Sequence, residues 1–200
     1  MTTFFPKDRI LAGYTYDQFL TTFENSISTA NPTEDELADH EMLKLNLHRS
    51  KRVAKTAKIS PELQSLIEHI TEPQLWMVLT EDWCGDSAQT LPQIARIAEM
   101  NPLITLRILP RDENLDIMDR YLTNGGRAIP KLVAFSEDGV ELFTWGPRPE
   151  EARKLVKKNI SAETPKDEWQ KELHLWYARN RGIEVDREFV EVLESEKASI

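Results

Sequence analysis

A chain of 200 residues can fold as one domain with additions or as two small domains, and 40% hydrophobic with 30% charged residues is typical of a globular protein. The net charge of −9 argues against nucleic acid and anionic membrane surfaces as partners, because both are themselves negatively charged. The longest apolar run, residues 75–79, is much too short to cross a bilayer. We therefore predict neither nucleic acid nor a membrane as a partner.

The cysteine and histidine content limits the chemistry further. Cys84 is the only cysteine, which excludes an internal disulfide and a cysteine-rich metal site. The four histidines lack the short spacings of metal-binding motifs, so we predict no metal and no cofactor. A free thiol, together with the lack of a signal-like apolar stretch in residues 1–20, predicts a reducing, cytoplasmic location.

Residues 1–58 are predicted to form an N-terminal helical extension. Apolar spacing indicates one helix from Tyr16 to about Ser28. Thr33 and Glu36 then have the spacing of a capping box, which predicts the start of a second helix. Three apolar residues recur on one face of that second helix: Ala38, Met42 and Leu45.

Residues 59–160 are predicted to form a second unit, in the order β-α-β-α-β-β-α after a helix that begins at Ser60-Pro61. Short apolar runs predict four strands, at 74–80, 103–109, 131–135 and 140–145. Helical patterns predict three helices, beginning near 84 and covering 115–122 and 149–159. The helical crossover predicts that the first two strands are parallel, and the turn residues 137–139 predict an antiparallel hairpin for the last two.

Residues 161–200 are predicted to form a C-terminal helical extension. Thr164-Pro165 begins one helix, and Gly182 separates it from a final helix. Trp169, Leu173 and Trp176 share a face of the first of these helices. Such a face either packs on the domain or forms a peptide-binding surface.

The chemistry is concentrated in residues 81–87, between a buried strand and a helix start. A cysteine at a helix start lies near free backbone N–H groups and the positive end of the helix dipole, and both favour the nucleophilic thiolate of Cys84. Ser87 follows one turn later, where its hydroxyl can donate a hydrogen bond to the sulfur. Gly85 lets the backbone of a partner approach closely.

Asp86 has the opposite effect on Cys84. Its negative charge lies two residues from the sulfur and raises the pKa of the thiol. The sign of the net shift stays open at this stage. The alternative interpretation is an inert, buried cysteine followed by ordinary helix-capping residues.

Several motifs carry a family resemblance. Trp83-Cys84-Gly85 is followed by Pro92 eight residues after the cysteine, and Ala128-Ile129-Pro130 precedes the strand that leads to Asp138-Gly139 and Gly146. Over residues 60–160 the chain therefore resembles the thioredoxin family. The resemblance implies the thioredoxin fold, an α/β fold with a mixed central sheet, here with helical extensions at both ends.

The resemblance also implies roles for individual residues. Cys84 and Ser87 are predicted as catalytic residues. Five further residues are predicted to contact substrate: Trp83, Gly85, Asp86, Ile129 and Pro130. Ile129 and Pro130 resemble the cis-proline loop of the family, which pairs with the backbone of a bound peptide.

The chain departs from the family pattern at two functional positions. Ser87 replaces the second, resolving cysteine, and Val78 occupies the strand position where a buried acid often assists that cysteine. The protein is therefore predicted to be unable to run a dithiol–disulfide cycle by itself. Our leading hypothesis is a monothiol protein in which Cys84 forms a mixed disulfide with a protein or low-molecular-weight thiol, and an external thiol releases it.

Two alternatives stay open from the sequence. The first is a redox-silent binding module, in which the groove around Trp83 and Pro130 captures a peptide or thiol. The second is an iron–sulfur carrier, because Cys84-Gly85-Asp86-Ser87 resembles the Cys-Gly-Phe-Ser string of monothiol glutaredoxins.

Overall fold

The structure of the protein, a computed structural model, describes residues 4–197. Within this range the strands are β1 (Gln74–Thr80), β2 (Ile104–Pro110), β3 (Lys131–Ser136) and β4 (Glu141–Trp145). The helices before β2 are α1 (Lys7–Leu11), α2 (Tyr16–Thr29), α3 (Leu37–Thr56), α4 (Pro61–Glu68) and α5 (Gly85–Glu99). The helices after β2 are α6 (Leu115–Met118), α7 (Glu150–Ser161), α8 (Lys166–Asn180) and α9 (Ile183–Lys197).

The four strands form one mixed sheet in the order β2-β1-β3-β4. β1 runs parallel to β2 and antiparallel to β3, and β3 pairs antiparallel with β4. Gln74 lies opposite Ile104 on one side and Ser136 on the other, which fixes the register of the central strands. The predicted α/β fold with a mixed central sheet and helical extensions is confirmed.

β1 lies in the centre of the core because every one of its residues is buried. Successive side chains of a strand point to opposite faces. Trp76 and Val78 accordingly pack in the cluster that includes α4, α5 and α9, whereas Met77 and Leu79 pack with α1 and α6 on the other face. Cys84 belongs to this second cluster, so the loop after β1 delivers the cysteine to the edge of the core.

Local capping determines where the predicted helices begin. Ser60 Oγ accepts a hydrogen bond from the backbone N–H of Leu63 at 3.1 Å, as expected of a helix that starts with proline at its first position. Thr33 and Glu36 form the predicted capping box, but the box belongs to a 3₁₀ turn at Glu34–Glu36, and this turn leads into α3.

Two local predictions need correction. The helix predicted over 115–122 ends at Met118, because the amides of Arg120 and Tyr121 bond three residues back in a tighter turn, and Leu122 is left exposed. The short helix α1 was not predicted. It precedes Tyr14, whose backbone exchanges hydrogen bonds with Ile108 and covers the outer edge of β2.

The helical extensions pack directly on the sheet and on α5. In α9, Val185, Phe189 and Leu193 are buried in the same cluster as Trp76. In α3, Ser50 contacts the carbonyl of Ala88 in α5. The division at residues 58 and 160 stays a prediction. None of the helices within residues 4–197 is long and apolar enough to cross a membrane.

Candidate functional site

Cys84 is the residue immediately before α5, and its side chain meets the loop that precedes β3. Its backbone is extended (φ −78°, ψ 113°), and its carbonyl accepts the first helical hydrogen bond, from Ala88 N–H at 3.1 Å. Its thiol donates a hydrogen bond to the carbonyl oxygen of Ile129 at 3.4 Å. The peptide bond between Ile129 and Pro130 is cis. The fold therefore brings the proline loop into contact with the cysteine.

The environment of Cys84 raises the pKa of its thiol. The residue is only 7% exposed, and burial is the main cause, followed by the negative charge of Asp86. Hydrogen bonds from the Ser87 hydroxyl and from the backbone N–H groups of Ser87 and Asp86 act in the opposite direction without reversing the shift. The thiol form therefore predominates at neutral pH in the resting protein.

Ser87 lies in the first turn of α5 and is almost fully buried. Its hydroxyl is hydrogen-bonded to the Thr80 hydroxyl at the end of β1 and also to the sulfur of Cys84. When Ser87 donates its proton to the sulfur, Thr80 donates to Ser87, because each hydroxyl carries a single proton. The Ser87 hydroxyl thus acts as a hydrogen-bond donor to the sulfur of Cys84.

Asp86 is buried at the centre of a polar cluster, and its role as a substrate contact stays a prediction. One carboxylate oxygen pairs with Arg148 at 2.7 Å, and the other accepts a hydrogen bond from the Tyr177 hydroxyl at 2.8 Å. Burial raises the pKa of Asp86, and the charges of Arg148 and Arg49 together with the two hydrogen bonds oppose that increase. Both oxygens are engaged by the chain itself, so Asp86 links α5 to the C-terminal extension.

Gly85 contacts the imidazole of His174, a residue of α8. A Cβ atom at Gly85 would lie 2.9 Å from His174 Cε1, which is closer than real Cβ contacts. This chain's own histidine therefore lies against Gly85, and the approach of a partner's backbone at this glycine stays a prediction. Gln89 lies 3.2 Å from His174 Nδ1 and is hydrogen-bonded to it.

Trp83 stands at the mouth of the site and is 47% exposed. The guanidinium of Arg111 lies over its ring at 4.9 Å from the centroid, a cation–π contact. The backbone carbonyl of Trp83 accepts a hydrogen bond from Asn46 of α3 at 3.0 Å. Trp83 is therefore contacted both at its ring and at its backbone carbonyl, and it partly covers the approach to Cys84.

A cleft of about 650 Å³ opens above Cys84 between α3, the start of α5 and α8. Residues 127–129 and Pro147 complete its wall. Six cationic side chains line the cleft: Arg49, Arg111, Arg127, Arg148, Lys166 and Lys171. Two carboxylates also line the cleft, those of Asp86 and Asp167. We refer to this space as the cationic cleft.

Four residues of this site were not predicted from the sequence: Arg49, Arg148, His174 and Tyr177. The only signal was the aromatic-rich helix predicted after Pro165, which left its packing partner undefined. Gly146, predicted from the family pattern, has φ +108°, and a Cβ atom there would collide with the Pro130 carbonyl oxygen. The Gly146–Pro147 peptide bond, which leads to Arg148, is also cis.

Residues 4–197 contain no group of three or more His, Cys, Asp or Glu side chains arranged to hold a metal ion. Within the same range, the polar groups around Cys84 are a hydroxyl, a carboxylate with its arginine and tyrosine partners, and a histidine. These groups suit thiol chemistry and the binding of an anion.

Comparison with known proteins is consistent with this geometry. A family model described as "Thioredoxin" matches residues 32–167. A solved structure of a protein of unknown function from Pseudomonas aeruginosa superposes with a TM-score of 0.63 at 14% identity, over 98% of this chain and 99% of that one. An HIV epitope-scaffold superposes with a TM-score of 0.61 at 14% identity, over 96% of this chain and 99% of that one. No curated protein matches significantly.

A mixed sheet in the order β2-β1-β3-β4, with a cysteine at the start of the crossover helix and a proline loop beside it, defines a thioredoxin-like protein. The two similar structures support the fold alone, because their identity to this chain is low. The family model spans more than half of the residues, and the chain belongs to the thioredoxin family.

His174 makes the stability of the protein depend on pH. Burial, and then the charges of Arg49, Arg52 and Arg148, lower its pKa from 6.5 to about 4. Because the unfolded chain binds this proton at a higher pH than the folded chain, the stabilisation is complete above about pH 6.5 and is lost as the pH falls towards 4. We expect a contribution of up to about 3 kcal/mol to the free energy of unfolding.

The corresponding test compares His174→Gln with the parent protein by urea titration between about pH 7 and pH 4.5. The variant should show a flatter dependence of the free energy of unfolding on pH. His48→Gln, at an exposed position of α3, is the control and should keep the parental slope. An unchanged slope in His174→Gln would mean that another group carries the dependence.

Proposed function

We propose that this protein carries out monothiol thiol–disulfide exchange through Cys84. The observation that carries the proposal is the position of the only thiol, at the start of α5, 3.4 Å from the Ile129 carbonyl and at the base of the cationic cleft. The backbone N–H groups of Asp86 and Ser87 and the Ser87 hydroxyl provide hydrogen bonds to a thiolate at this position. Membership of the thioredoxin family supports thiol chemistry in general.

The exchange has two balanced steps. The Cys84 thiolate attacks one sulfur of a disulfide R–S–S–R′, a Cys84–S–S–R bond forms, and R′–S⁻ leaves and takes up the proton that Cys84 lost. An external thiol R″–SH then attacks the sulfur of R, which yields R–S–S–R″ and returns Cys84 to its thiol form. Removal of glutathione or bacillithiol from a protein fits this scheme, and a reducing, cytoplasmic location would supply the releasing thiol.

The raised pKa of Cys84 favours a long-lived mixed disulfide. Proteins that stabilise the thiolate have readily reduced disulfides, because the reduced form is favoured. Burial and Asp86 have the opposite effect at Cys84, so the disulfide-bonded form gains relative to the free thiolate. The attack itself is slow at neutral pH, since only a small fraction of the thiol is ionised.

The pH dependence of alkylation tests this description. We expect the rate of reaction with iodoacetamide to rise with a midpoint above the ordinary thiol pKa of about 8.5. At about pH 9, an added disulfide such as 2-hydroxyethyl disulfide should give a single mixed disulfide, visible as a mass increase.

Cys84→Ser is the matched variant for both measurements. It should keep the fold by circular dichroism and lose both the alkylation and the mass increase. A native protein that forms no mixed disulfide at any pH, while the urea-unfolded chain does, would contradict the proposal. Unfolding of Cys84→Ser would identify Cys84 as a core residue instead.

A second candidate, a redox-silent binding module, is favoured by the same raised pKa, since an adaptor needs no thiolate. In that case the loop at Ile129 and Pro130 captures a peptide or thiol without covalent chemistry. Loss of ligand binding in Pro130→Ala but not in Cys84→Ser would support this second function. Loss of both covalent capture and binding in Cys84→Ser would support exchange.

A further inference from the structure

We infer that the cationic cleft selects low-molecular-weight disulfides that carry carboxylate groups, and that Arg49 is the main determinant of this preference. The inference rests on the proposed function, because it specifies the substrate class for the same thiol. It goes beyond that function in assigning a binding role to the N-terminal helix α3, which lies outside the predicted residues 59–160.

Most cations of the cleft have carboxylate partners. Arg148 is paired with Asp86, and Lys171 with Asp167, within the cleft itself. Arg111 and Arg127 are paired with Asp112 and Asp119 at its rim, at 2.7 Å and 2.6 Å. These pairs offset much of the local charge, so the unpaired cations decide what the cleft attracts.

Arg49 and Lys166 have no carboxylate within ion-pair distance among residues 4–197. Arg49 is partly buried, and its Nη1 donates a hydrogen bond to the Asn46 side-chain oxygen at 2.8 Å. The same Nη1 lies 3.8 Å from the position that a Cβ atom of Gly85 would occupy, so its charge stands beside the residue that follows Cys84. Burial and the neighbouring Arg52 lower the pKa of Arg49, and the charge of Asp86 opposes this decrease without reversing it.

A carboxylate is the counter-ion that best fits this arrangement. A guanidinium presents a planar fork of N–H donors that matches the two oxygens of a carboxylate. The backbone N–H groups at the start of α5, which point towards the sulfur of Cys84, add positive potential near the thiol. The volume of about 650 Å³ lies within the range of small-molecule sites, which bind ligands much smaller than a folded protein.

The net charge of the chain predicts the opposite preference. At −9, long-range electrostatics alone would attract cationic disulfides and repel anionic ones. A preference for anionic disulfides can therefore arise only from the local charge of the cleft. The relative rates of anionic and cationic disulfides therefore distinguish the local charge of the cleft from the net charge of the chain.

The test compares three dialkyl disulfides of similar size: 3,3′-dithiodipropionate, 2-hydroxyethyl disulfide and cystamine, which are anionic, neutral and cationic. The rate of mixed-disulfide formation at Cys84 is measured by mass spectrometry at low ionic strength, and each rate is divided by that of free cysteine. We expect the anionic disulfide to react about tenfold faster than cystamine, at the lower end of the effect of charge-lined clefts. The ratio should fall at about 0.5 M salt because of screening.

Arg49→Gln should reduce this ratio to about twofold or less, since it removes the unpaired charge that lies beside Gly85. The exposed Arg179→Gln on α8 is the matched control and should keep the parental ratio. The ratio is insensitive to changes in the pKa of Cys84, because all three disulfides react with the same thiolate. If Arg49→Gln fails to fold, the salt dependence of the parental ratio tests the same point.

The outcomes separate the two proposals. If all three disulfides react at equal normalised rates, or cystamine reacts fastest, exchange at Cys84 stands and the charge preference is wrong. An unchanged ratio in a folded Arg49→Gln variant would overturn the assignment of Arg49. If none of the three modifies the native protein while the unfolded chain reacts, the proposed function itself fails and the inference fails with it.

Discussion

Asp86→Asn is expected to lower the free energy of unfolding by about 3 kcal/mol and, at the same time, to lower the pKa of Cys84. The protein loses stability because the substitution leaves Arg148 without its carboxylate partner. Arg148 is mostly buried and pairs with Asp86 at 2.7 Å, so removal of the carboxylate charge leaves an uncompensated buried cation. The hydrogen bond from Tyr177 also loses its charged acceptor.

The lower pKa of the Cys84 thiol follows from the loss of the Asp86 charge, which is the second cause, after burial, of the raised pKa in the parent protein. The negative charge of Asp86 raises the pKa of Cys84, and the uncharged amide removes that contribution while burial stays. Urea titration measures the stability, and the pH dependence of iodoacetamide alkylation measures the pKa. Alkylation at about pH 8 should therefore be faster in the variant although the protein is less stable.

Asp119→Asn is the control for this experiment. Asp119 pairs with Arg127 at 2.6 Å, but both side chains are about half exposed, and exposed pairs contribute little. The free energy of unfolding of Asp119→Asn should therefore stay close to that of the parent protein. A loss of stability in Asp86→Asn with an unchanged thiol pKa would show that Asp86 acts only as a structural link between α5 and Tyr177.

Phe189→Ala is expected to lower the free energy of unfolding by about 3–5 kcal/mol. Phe189 lies in α9 and has no exposed surface. Its ring packs at 5.9 Å from Trp76 and 5.6 Å from Trp145, measured between ring centroids. Truncation leaves a cavity between the C-terminal extension and the sheet, which the surrounding aromatic side chains cannot fill.

Urea titration of Phe189→Ala also tests the predicted boundary at residue 160. If α9 and the sheet unfold together, the variant should show one transition at lower urea with the parental slope. Leu175→Ala, at an exposed position of α8, should change the stability little. A loss below about 1 kcal/mol, or a separate early transition, would mean that residues 161–200 form a unit of their own.

Local sequence patterns determined most of the fold. The uninterrupted apolar run of β1, the serine–proline start of α4 and the turn residues before β4 act over a few residues, so their effects can be recognised without tertiary structure. Residue identity likewise gives a single thiol, and the family resemblance implies that Ser87 replaces a resolving cysteine. These features predicted the mixed sheet and the single thiol at a helix start.

Only the tertiary structure decided the electrostatics of the site. Tyr177 lies 91 positions from Asp86 along the chain. Arg49 in α3 precedes Gly85 in the sequence and His174 in α8 follows it, yet both side chains lie close to this glycine. Burial of Cys84, which sets the direction of its pKa shift, likewise depends on packing against Ile129, 45 positions away. A pKa depends on solvent exclusion and on charges within a few ångströms, and both arise from contacts between distant segments that residue spacing does not encode.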